Sequence, residues 1–178
     1  MNNFLNEILN KLSFYFKLLI LSPGVIVHEL AHVLFCIISN VKIRKIKLFQ
    51  FSEIAGYVEH DKPANLFSAF FISFGPLFLN TVVSYFLFKE FNMNFDESKN
   101  LLFLYLGISI SFSSIPSDID GNAFGFYIKD KVKRNLLFFP IIIFLPLVWI
   151  LNIMNYLKNF GFNYLFSFFI FYLAIFYI

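Results

Sequence analysis

Long apolar runs separated by short polar punctuation dominate this chain. Near the start, Phe4, Leu5, Ile8, Leu9 and Leu12 recur at helical spacing with Asn6, Asn10 and Lys11 between them. From Phe14 onward the run is nearly all apolar except Lys17, so 1–21 is expected to be an amphipathic or membrane segment. Whether it spans a bilayer or lies on one stays open. Ser22 then Pro23 has the form of a helix start, with Ser as cap and Pro in the first helical position. That helix is expected to reach Ser39, with Asn40 stopping it. Either it continues the preceding run, or Pro23-Gly24 marks a break buried in protein. Further runs occupy 64–88 (opened by Pro63), 101–115 (closed by Pro116), 136–154 (interrupted by Pro140 and Pro146) and 160–178. A bilayer crossing takes about 20 apolar residues, and the 64–88 run is long enough. Between the first two spans, Val41 to Phe51 partly alternate apolar and charged, and Tyr57-Val58-Glu59-His60 follow a turn. Two short strands fit that alternation; a solvated basic loop is the alternative.

Composition sharpens this into a class. Of 178 residues, 59% are hydrophobic and 14% charged, with 29 Phe. A soluble domain has about 45–50% apolar and about 25% charged residues. The expected fold is an all-α polytopic membrane protein with a small β-hairpin between the first two spans. A single cysteine, Cys36, excludes an internal disulfide. A net charge of +3, scattered along the chain, speaks against nucleic-acid binding. Met1 to Asn10 hold Glu7 and no basic residue, and Ser22-Pro23-Gly24 is no cleavage site, so a secretory signal is not expected. With alternating spans, 40–63 and 117–134 share one side and carry Lys42, Arg44, Lys45, Lys47, Lys62, Lys129, Lys131, Lys133 and Arg134. Lys89, Lys99 and Lys158 fall in loops on the other side. The basic-rich side is expected to be cytoplasmic, the membrane being the cell membrane.

One apolar run contains His28-Glu29-Leu30-Ala31-His32. Ionisable groups at bilayer depth are costly, which makes each a functional candidate. On a helix, positions four apart share a face, so His28 and His32 can offer two imidazole nitrogens to one metal ion. Glu29 lies beside them, placed as a general base on water. The alternative is a pair of helix-packing histidines, which leaves Glu29 an unexplained buried carboxylate. A catalytic zinc site usually takes a third protein ligand and keeps one position open. Asp118 and Asp120 are the candidates, just past Pro116 at the end of the third span. His32 is seven residues before Ser39, about 10 Å along a helix axis, so a turn or re-entrant segment at 117–122 covers the distance. Cys36 shares the face of His32 and is read as a packing residue. His60 is read as a loop histidine at the membrane surface.

Together these motifs resemble the site-2 proteases, the intramembrane zinc metalloproteases. That family's first core helix carries HExxH, matched by His28, Glu29 and His32. Its third carries a motif like N-x-x-P-x-P-x-L-D-G, and here, in a segment one residue shorter, Pro116, Asp120 and Gly121 match while Ile119 stands for Leu, Ser113 for Asn and Asp118 for the second Pro. The resemblance implies Asp120 as third zinc ligand, with Asp118 its rival. Many members also have Gly-Pro-x-x-Asn in the second core helix. Here Gly75-Pro76 is followed by Asn80, one residue late. Gly75, Pro76 and Asn80 are therefore weak substrate-positioning candidates, the other role for Gly75-Pro76 being close helix packing or a kink. The implied organisation is a three-helix metalloprotease core over 22–125 and two C-terminal transmembrane helices in 126–178.

The expected function is an intramembrane zinc metalloendopeptidase acting on transmembrane or adjacent segments of membrane-protein or peptide substrates. Strands in 41–60 would receive an unwound segment by edge addition, a role the resemblance also implies. The alternative is a membrane metal-binding protein without proteolysis, including a degenerate protease-like receptor. Substrate, regulator and oligomeric state are not readable.

Overall fold

The computed structural model describes residues 2–93 and 99–177. The side chains of Phe4, Leu5 and Ile8, on which the amphipathic reading of the start partly rests, lie outside that description. Among the described residues there are six α-helices and one two-stranded sheet: α1 (Asn2–Ile38), β1 (Ile43–Lys47), β2 (Tyr57–His60), α2 (Leu66–Met93), α3 (Lys99–Phe112), α4 (Asp118–Arg134), α5 (Leu145–Lys158) and α6 (Phe162–Phe176). A 3₁₀ segment, Leu136–Phe144, leads into α5. Three helical stretches, Leu9–Ile38, Leu66–Phe91 and Leu137–Lys158, are long and apolar enough to cross a membrane.

Helix α1 does not begin at Ser22; it runs through Pro23. A proline inside a helix removes the N–H that would bond the carbonyl four residues back and crowds the neighbouring turn. Here the freed groups find partners. Ser22 Oγ donates to the Leu19 carbonyl (2.7 Å), Tyr105 Oη to the Ile20 carbonyl (3.0 Å), and the Gly24 N–H donates to Ser109 Oγ (3.0 Å). Gly24 is required for this, since a Cβ there would lie 1.9 Å from the Ser109 carbonyl oxygen. The other end of α1 follows expectation. Asn40 has φ 52°, and Val41 N–H bonds the Cys36 carbonyl (2.8 Å) in a Schellman stop.

The expected hairpin is present. β1 pairs antiparallel with β2, from Ile43 opposite His60 to Lys47 opposite Tyr57, with an irregularity between Ile43 and Lys45. The Arg44–Asp61 ion pair closes its open end.

The polar segment after Pro116 differs from the expected turn. It opens a 17-residue helix, α4. Ser117 and Asp120 form a capping box, and Lys131, Lys133 and Arg134 fill the last turn, where cations favour the helix dipole. Phe124, Tyr127 and Ile128 bury one face against Ala69 and Phe74 of α2 and Val148 and Leu151 of α5.

The last two runs pack back on the helices before them. Gly121 of α4 lies by Leu151 and Asn152, and Gly125 by Val148, so α5 runs antiparallel to α4. Ser111 of α3 meets Ser167 of α6 (2.5 Å) and Phe112 meets Tyr164, so α6 runs back along α3. The α3–α4 break and the α5–α6 turn, with Gly161 at φ 84°, therefore lie side by side. Lys158, expected in a loop remote from 117–134, joins them by donating to the Ile115 (3.0 Å) and Pro116 (3.2 Å) carbonyls. Carbonyls at such a break need external donors, and the chain folds where α5 supplies one.

Candidate metal and catalytic site

His28 and His32 project from one face of α1, one turn apart, with ring centroids 5.0 Å apart. Each ring is held by a backbone carbonyl. His28 Nδ1 donates to Ser113 O and His32 Nδ1 to Ile72 O, both at 2.7 Å. A carbonyl only accepts, so Nδ1 carries a proton, and in the neutral ring Nε2 is the nitrogen left with its lone pair.

Both carbonyls are free for a reason visible in the sequence. Ile72 is four residues before Pro76, which has no N–H to give it. Ser113 follows the last residue of α3, and the Ser117 N–H that a continued helix would offer it goes to Asp120 Oδ2 instead (2.7 Å). The Gly75-Pro76 signal thus reaches the site through a carbonyl. Gly75 serves packing, because a Cβ there would lie 2.2 Å from the Phe35 ring.

The α3–α4 break brings Asp120 to the imidazoles. Its Oδ1 is 3.3 Å from His32 Nε2 and its Oδ2 3.7 Å from His28 Nε2. Oδ2 also accepts from Ser117 N and Ser117 Oγ, both at 2.7 Å, which fixes the carboxylate while the first turn of α4 favours its charge. His28, His32 and Asp120 each offer one ligating atom within 4.8 Å of the others, a group that could hold a metal ion. Two imidazoles and a carboxylate could hold a divalent metal ion such as zinc, which would supply Lewis-acid chemistry there. Asp118, the rival, is exposed and faces a separate polar cleft with Asn152 and Asn155.

Glu29 is 7% exposed and lies beside the group. The loop before β2 rests on it: a Cβ on Gly56 would come within 2.7 Å of Glu29 Cγ. His28, Glu29, His32 and Asp120 line one cavity of about 750 Å³, roofed by 53–60 of the hairpin. His60 faces the same cavity but is not in the ligating group, and its Nδ1 donates to the Asp61 carbonyl (2.8 Å). Cys36 is fully buried and outside that group.

Asn80 is placed differently from a cavity-lining amide. Its Nδ2 donates to the carbonyls of Gly24 (3.4 Å), Ile110 (3.4 Å) and Ser113 (3.2 Å), tying α2 to α1 and α3. Lys158 and Asn163 do line the cavity, and sequence reasoning passed over both. A polar residue at the end of one apolar run and the start of the next was the available signal. No protein-family model, curated protein or solved structure matches the chain, so its own geometry carries the reading.

Proposed function

We propose that this chain is an intramembrane zinc metalloendopeptidase of the site-2 protease type. The observation that carries the reading is the convergence of His28, His32 and Asp120 beside Glu29 in a cavity walled by apolar helices. A packing role for the histidines would not call for two fixed tautomers facing a carboxylate. Three helices fit for crossing, and outward apolar side chains such as Leu12 (65% exposed), Ile37 (66%), Leu101 (72%) and Trp149 (71%), support a lipid-embedded body. The hairpin exit and α4 pack together, Lys131 Nζ donating to the Ala64 carbonyl (3.2 Å), which supports a shared basic face on the cytoplasmic side.

Zinc held by His28, His32 and Asp120 would supply Lewis-acid activation of water and of the scissile carbonyl. Glu29 takes the proton from the attacking water and passes it to the leaving amine. The carbonyls of Ile72 and Ser113 keep both rings oriented throughout. A substrate helix hides its peptide bonds, so the segment cut must be extended. Among the described residues β2 pairs with β1 alone, and its other edge is suited to receive such a segment in the roofed cavity.

The test uses the purified full chain in detergent and a model transmembrane substrate. We expect about one zinc per chain and cleavage abolished by Glu29→Gln with zinc retained. Cleavage surviving that change would sink the mechanism. Zinc without cleavage in the parent favours the non-proteolytic metal-binding reading, to which the departures at Ser113 and Asp118 belong.

A further inference from the structure

Asn163 is nine-tenths buried in the first turn of α6, and its Oδ1 has no hydrogen-bond partner among the described residues. It does not cap its own helix, whose N-cap is Gly161 with no side-chain bond. It lines the same cavity as the His28, His32 and Asp120 group. Its position is set firmly: one turn on, Ser167 bonds Ser111, and the adjacent Tyr164 packs edge-on against Phe112.

Resting on the protease reading above, we infer that Asn163 is a substrate-binding amide that hydrogen-bonds the backbone of the extended peptide lying in the cavity. An extended peptide has two polar edges, and in a water-poor cavity both need partners. β2 can pair with one edge. The end of α3 and the start of α6, where Asn163 stands, line the same cavity and can serve the other edge. A primary amide has one acceptor and two donors, matching a peptide's N–H and C=O without regard to side chains. Two neighbouring donors are already engaged. Lys158 Nζ is committed to the Ile115 and Pro116 carbonyls, and Asn80 Nδ2 to the Gly24, Ile110 and Ser113 carbonyls. This assigns to α6, outside the three-helix core, a direct part in holding substrate.

The test measures binding rather than turnover. A fluorescein-labelled hydrophobic Leu-Ala-Gly peptide is titrated against the zinc-loaded full chain carrying Glu29→Gln, with and without Asn163→Leu. Leu matches Asn in size and removes an unpaired buried amide, so zinc content and thermal stability should hold or rise. Binding is expected to weaken about tenfold, as for a lost buried hydrogen bond. Asn163→Asp, which keeps the acceptor and loses the donors, serves as second variant and should also weaken binding. Affinity unchanged in either folded variant overturns the inference alone. No binding and no cleavage by the parent overturns the protease reading and this inference with it.

Discussion

Helices α1 and α2 each contain a proline and keep running, for 37 and 28 residues, whereas the later passes stop and restart where α3 meets α4 and α5 meets α6. The difference lies in what neighbours supply. At Pro23 the freed carbonyls receive hydroxyls from Ser22 and Tyr105, so the ladder is repaired. At Pro76 the freed carbonyl receives an imidazole, so the same kind of lesion becomes an orienting device. At Pro116 the chain turns, and the break delivers a carboxylate to those imidazoles. Continuous helices fix the two histidines, and the discontinuous pass brings the third group. Ser114, Ile115 and Pro116 at that break are buried in protein.

The sharpest challenge to that division of labour is at the break. Asp120→Ala should remove stoichiometric zinc and all cleavage while Asp118→Ala leaves zinc in place, as metal analysis of the two purified variants will show. A reversed result would dismiss the placement of α4. On the continuous side, Pro76→Ala restores an N–H that competes for the Ile72 carbonyl. Zinc affinity should fall about ten- to a hundredfold, the usual cost of losing a partner behind a ligand, with the helix itself unharmed. Competition with a chelator measures it, and unaltered affinity would reduce Pro76 to a simple kink.

These two residues also mark what could be read in advance. The shared face of His28 and His32, the hairpin and the Asn40 stop were legible, because each rests on local spacing or on one residue's backbone preference, whereas Asp120 was preferred to Asp118 only through the family resemblance. Ser22-Pro23 has the usual form of a helix start, so a continuous helix stood only as one of two readings, and the groups that decide for it, Tyr105 and Ser109, bond to α1 from 85 residues away. Helix α4 had a readable signature in Ser117 and Asp120 at capping-box spacing, with Phe124, Tyr127 and Ile128 on one face. Its polar opening obscured it. The side-by-side arrangement of the breaks was not legible, since apolar runs report burial and not which neighbour supplies it.

Two smaller effects sharpen the comparison further. Gly24→Val places side-chain atoms against the Ser109 carbonyl and forces α1 and α3 apart, with an expected loss of about 1–3 kcal/mol in unfolding measured in detergent. Ser22→Ala leaves the Leu19 carbonyl without its hydroxyl and should cost about 1 kcal/mol by the same measurement. If Ser22→Ala proved the more damaging of the two, close approach of α1 to α3 would not be what holds the continuous half together.

Gly56 separates the hairpin from the Glu29 side chain by no more than a hydrogen atom. A lift of that roof would uncover the carboxylate beneath it. On the proposed reading, admitting a guest strand and wetting Glu29 would then be a single mechanical event, and a bulkier residue at position 56 would prop the door ajar.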